Sequence, residues 1–139
     1  MKLRLFVVAL VLLACYSCKT EPTSSLADYQ GEENYSVITS ETKVGYLKTN
    51  TTGDTITIDY DYKNNGRGPT MKETIVLNAE GYPVNWQITG NTTFGNAVDE
   101  QFSLEGGEAS WTDATGSGNA AVESPQLYVN QFGSPYSAV

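Results

Sequence analysis

The chain has 139 residues, 8 lysines and arginines against 16 aspartates and glutamates, no histidine, and a formal charge of −8. That balance argues against nucleic acid as a partner, because gripping a phosphate backbone takes clustered lysine and arginine. The missing imidazole removes the usual zinc ligand and general base, and the length suits one domain rather than two.

The first element is a leader. Lys2 and Arg4 precede the apolar run LFVVALVLLA, residues 5–14, which is too short to span a bilayer and has the layout of a secretory signal peptide. Its end, Leu12 to Cys15 with Ala14 just before the cysteine, resembles the bacterial lipoprotein cleavage box. The resemblance implies removal of residues 1–14 and a lipid on Cys15. Cys18, after the small Ser17, is the alternative site, although Cys15 then stands where an aliphatic residue is preferred. A disulfide between the two cysteines would suit an oxidising compartment, but both lie beside the apolar run rather than in a core. The expected location is the bacterial cell envelope, with the membrane as partner through the anchor, on an outer-membrane, periplasmic or surface face. Loss of the leader removes Lys2 and Arg4 and no acid, so 8 basic side chains become 6 against 16 acidic, a formal charge of −10. Such acidity is also ordinary for soluble envelope domains.

Residues 15–33 read as a polar tether, since KTEPTSSLADYQGEE carries a proline, several serines and no apolar period. A β-domain follows over 34–139. In TITIDYDY, Ile56, Ile58, Tyr60 and Tyr62 alternate with Thr55, Thr57, Asp59 and Asp61, the period of a half-buried strand. YPVNWQIT repeats it with Val84, Trp86 and Ile88; KETIVLN and QFSLE add Ile75, Leu77, Phe102 and Leu104 as inward candidates. Glycine and asparagine clusters at 50–54, 78–81, 90–91, 105–108 and 115–119 supply turns. Strands are expected near 35–40, 43–49, 55–62, 71–78, 82–89, 97–105, 108–113 and 120–130. Short turns favour neighbours pairing antiparallel, because parallel pairing needs a crossover of a dozen or more residues. The expected fold is all-β, an antiparallel meander forming a curved sheet, an open barrel or a sandwich.

KNNGRGPT, residues 63–70, then reads as a hairpin loop in which the glycines permit the turn and Pro69 withholds an N–H. Arg67 is its unexplained residue: it is placed to pair with Asp59 or Asp61, or to reach a neighbouring domain or a carboxylate ligand. Tyr60, Tyr62, Trp86, Phe102 and Trp111 suit one concave face, as core or as the lining of a small apolar cavity. Catalysis finds little support. Asp99 and Glu100 are adjacent on a strand and face opposite sides, and the serines and threonines have no histidine to activate them. No catalytic residue and no metal ligand is assigned to this chain.

The stretch from Val44 to Gly118 resembles the N-terminal β-domain of bacterial exported metal-dependent amidohydrolases of the imidazolonepropionase-like group. The matching residues are Val44 and Gly45, the loop Asn65 to Pro69, Gly81 and Pro83, Glu100 and Phe102, Ala109 and Trp111, and Ser134 and Pro135. The likeness covers about residues 35–136. In that family a barrel of strands and helices follows, whose histidines, aspartate and often a modified lysine bind zinc or a similar metal and hydrolyse C–N bonds. Those positions do not occur in this sequence, so no catalytic residue carries over. The resemblance implies a non-catalytic leading module, and the apolar close Tyr136, Ala138 and Val139 reads as a cut before more sequence. The alternative is a free-standing envelope lipoprotein that carries an apolar ligand among Tyr60, Tyr62, Trp86 and Trp111.

Overall fold

The computed structural model describes residues 30–124 and 128–135. The leader, Cys15, Cys18, the tether as far as residue 29 and the last four residues lie outside the described residues. Eight strands occur in order: β1 (Gly31–Thr39), β2 (Thr42–Thr52), β3 (Thr55–Tyr62), β4 (Thr70–Leu77), β5 (Pro83–Asn91), β6 (Ala97–Glu105), β7 (Glu108–Asp113) and β8 (Gly116–Ala121). Each pairs antiparallel with the next, which gives one open sheet in the order β1 to β8. The expected all-β meander is therefore present among the described residues, as a single layer with β1 and β8 at its edges rather than a sandwich. Every connection between strands is a short one, and no segment between them is long enough for a crossover.

Several boundaries differ from the sequence reading. Residues 31–33, assigned to the tether, begin β1, where Gly31, Glu32 and Glu33 pair with Thr51, Asn50 and Thr49. Backbone pairing needs no apolar side chain, so hydropathy misses it; Gln30 also closes on Gly53 through two hydrogen bonds of 2.8 and 3.1 Å. The cluster at 50–54 is partly strand and that at 90–91 wholly so, because β2 runs to Thr52 and β5 to Asn91. The last strand is expected at 120–130 but lies at Gly116–Ala121, most of it in TGSGN, residues 115–119, which reads as a turn. The reason is Trp111: a Cβ on Gly118 would sit 2.7 Å from the indole Cζ2, so this glycine clears a neighbouring ring instead of turning the chain.

Alternation divides the sheet into two faces. One buries Leu47, Ile58, Tyr60, Met71, Ile75, Trp86, Ile88, Val98 and Phe102. A single sheet must cover such a face with something, and here the segment 128–135 supplies part of the cover through Tyr128 and Phe132. The Tyr128 ring stacks on Phe102 at 4.8 Å and meets Trp86 edge-on at 5.9 Å. The other face is mostly polar, with Val76 among its few apolar residues.

Candidate functional site

The loop between β3 and β4 is a tight hairpin end. Asn64 and Arg67 exchange backbone hydrogen bonds of 2.8 and 3.0 Å around Asn65 and Gly66, both at positive φ, 52° and 75°. That is the two-residue turn Asn-Gly favours, because its twist matches the flanking strands. Gly68 is required for a different reason: it is buried, and an added Cβ would fall 1.8 Å from the Tyr62 carbonyl oxygen. The expected pairing of Arg67 with Asp59 or Asp61 does not occur. Lys63 takes that place, donating to Gly68 O at 2.9 Å and Thr70 Oγ1 at 2.7 Å and lying 3.5 Å from Asp61. Its position two residues beyond Asp61 lets it fold back, whereas Arg67 stands exposed at the turn. Asp59 instead accepts from the Tyr46 hydroxyl at 3.3 Å.

The stronger constellation is on the core face. Ile58, Glu73, Ile88 and Glu100 are cross-strand neighbours in one row over β3 to β6, and the two glutamates are only 3% and 1% exposed. Each carboxylate grips the segment 128–135. Glu100 Oε1 accepts from the Tyr128 hydroxyl at 2.6 Å and the Gln131 N–H at 2.8 Å. Glu73 accepts from the Trp86 indole N–H at 3.1 Å and from the Ser134 N–H. Buried carboxylates are tolerated only when donors meet them in this way, so the segment is a strap and the two glutamates are its anchors. Glu100 Oε2 is buried and has no partner among the described residues.

Asp99 is exposed while Glu100 is buried, as adjacent strand positions require. What the sequence reading passed over is the pair Glu73 and Glu100. The signal was available: Glu73 is in phase with Ile75 and Leu77, and Glu100 with Phe102 and Leu104, so alternation turns both inward. Tyr128 had no such cue, because its partner is 28 residues away.

The five aromatic candidates share the core face but do not converge. Trp86, Phe102 and Trp111 form one row across β5 to β7; Trp86 is 2% exposed beneath the strap, and Trp111 is half-buried over Gly118. Tyr60 and Tyr62 stand on β3. Tyr60 lines a separate apolar hollow of about 360 Å³ with Tyr35, Val37, Leu47 and Pro135.

No family model, curated protein or solved structure matches the chain.

No three acidic, cysteine or histidine side chains among the described residues come together, and the two buried carboxylates face N–H and O–H donors.

The strap also makes stability depend on alkaline pH. Burial first, then the hydrogen bond and charge of Glu100, raise the Tyr128 phenol well above its ordinary value. A raised folded-state value contributes stability that is complete below the unfolded value of about 10 and is lost as pH rises beyond it. Tyr60 and Tyr46 are raised too, both mainly by burial, so the wild type alone does not isolate the strap. Thermal unfolding of wild type and Tyr128→Phe at about pH 8 and pH 11 does so: the wild type loses more stability over that interval than the variant. Parallel losses would mean that Tyr128 keeps its proton no better than a free phenol.

Proposed function

We propose that this chain is the non-catalytic N-terminal β-domain of an amidohydrolase-like envelope lipoprotein, which docks on a catalytic barrel encoded beyond it. The observation that carries the reading is where the resembling residues fall. Val44 and Gly45 lie on β2, Asn65 to Pro69 form the β3–β4 turn, Glu100 and Phe102 lie on β6, Ala109 and Trp111 on β7, and Ser134 on the strap. Glu100, Phe102 and Ser134 belong to one set of contacts around that strap, so separate motifs act as parts of one scaffold. The apolar hollow beside Pro135 is a fitting seat for the following domain, since apolar surface left open on a small sheet is best covered by a neighbour. Arg67, exposed on its turn, is a polar contact of the same domain. In this reading Cys15, or Cys18, anchors the whole to the membrane and any zinc belongs to the barrel.

Reading the coding DNA beyond codon 139 tests the proposal. An in-frame or frameshifted barrel with two histidines one residue apart at the end of a strand supports it; unrelated sequence behind a genuine stop overturns it. The purified 139-residue chain is expected to hydrolyse no amide with added zinc, and zinc-dependent hydrolysis would sink the accessory role. The hollow lined by Tyr60 also favours a second reading, a free-standing carrier of an apolar ligand. A lipid that co-purifies with the chain, and is lost on Leu47→Gln substitution, would favour it.

A further inference from the structure

We propose that the outward face of β5 to β8 binds a linear neutral glycan, in a trough that crosses the strands. One rail is the in-register row Asn85, Ser103, Ser110 and Asn119. The other is Gln87, Gln101, Thr112 and Ser117. Between them runs the backbone of the row Trp86, Phe102, Trp111 and Gly118, whose side chains point to the core face and leave a floor of main chain. The trough encloses about 590 Å³.

Its chemistry is unusual for this chain. The same face over β2 to β4 places Lys48, Asp59 and Lys72 side by side, in the mixed-charge style of a solvated sheet. Both rails of the trough are uncharged in a protein of formal charge −8. Every rail side chain is an amide or a hydroxyl, able both to donate and to accept, with one Gln101 N–H given to Asp99 at 3.2 Å beside the rail, which is the pattern that matches a polyhydroxylated ligand. An anionic ligand finds no cation between the rails. An apolar one finds no ring, because the aromatic side chains of the floor lie beneath the sheet.

Spacing points the same way. Successive residues of a rail stand one strand apart, about 4.8 Å, close to the rise of one sugar unit in an extended glycan. Four strands therefore offer a pair of polar groups to each of about four units, over about 14 Å. The rails sit on paired strands, so little side-chain positioning is left to loops. Without a ring to stack on, affinity falls on the order of millimolar.

The full 139-residue chain, isotopically labelled, is titrated with cellohexaose and chitohexaose, with hexagalacturonate as the charged counterpart. The expected result is saturable amide shifts centred on Gln87, Gln101, Ser110 and Thr112, with affinity rising from disaccharide to tetrasaccharide and then levelling. Gln101→Ala combined with Thr112→Ala weakens binding at least tenfold, while signals of Trp86 and Tyr128 keep their positions. Ser110→Arg, which obstructs the other rail, has the same effect. The proposal is overturned if neither neutral hexasaccharide shifts the rails, if shifts are confined to the strap or the apolar hollow, if hexagalacturonate binds equally well, or if the folded variants bind like wild type. Failure here leaves the accessory-domain reading untouched, since the trough and the hollow lie on opposite faces.

Discussion

Glu100→Ala is expected to free the strap and to cost the fold about 2–4 kcal/mol. The Tyr128 hydroxyl and the Gln131 N–H both rely on Glu100 Oε1, at 2.6 and 2.8 Å, in a place where water does not reach the carboxylate. Alanine leaves the half-buried Tyr128 hydroxyl and the Gln131 N–H, on an exposed residue, without their acceptor, at up to about 1–3 kcal/mol each and less where water reaches them, and it opens a cavity where the carboxylate was buried. Glu100→Gln keeps an acceptor oxygen on the same stem and should lose less than half as much. Urea unfolding measures the cost, and hydrogen exchange at Gln131 separates detachment of the strap from loss of the whole sheet. Continued protection of the Gln131 amide in Glu100→Ala would show that ring stacking on Phe102 holds the strap and that the carboxylate does not.

Trp86→Ala should be the most damaging substitution of the core, at about 3–5 kcal/mol. The indole is 2% exposed, meets the Tyr128 ring edge-on, and gives its N–H to Glu73 at 3.1 Å. Truncation opens a cavity, removes the floor on which the strap rests and strips one of the two donors shown for Glu73. Against a total stability of about 5–15 kcal/mol, a loss of this size lowers the melting temperature by at least about 12 °C. Trp86→Phe is the milder change, since it keeps one aromatic ring but removes the N–H and the volume of the second ring, for about 1–3 kcal/mol. Combined with Glu73→Gln it should show coupling above about 0.5 kcal/mol. Additive effects would mean that the indole stabilises by volume alone.

The two anchors explain why one layer of sheet holds a defined cover. Apolar contact by itself lets a segment slide, because it is not directional. Fixed acceptors at Glu73 and Glu100 admit one register, with Ser134 at one and Tyr128 and Gln131 at the other.

Strand identity was legible in the residues, because alternation as strict as that of Ile56 to Tyr62 allows only one backbone period to bury its apolar set. The meander order was legible as well, since turns as short as Asn65-Gly66 join only neighbours. Even the inward aim of Glu73 and Glu100 followed from their phase with Leu77 and Phe102. What lay beyond the sequence was set by contacts between distant residues. The pattern at 120–130 suggests another strand, but the last strand lies at Gly116–Ala121, where Gly118 makes room for Trp111. Residues 128–135 lie against the core face instead. Local pattern reports which side of a strand is buried; only the folded sheet brings Glu100 to Tyr128 across 28 residues, and that meeting decides what covers the core.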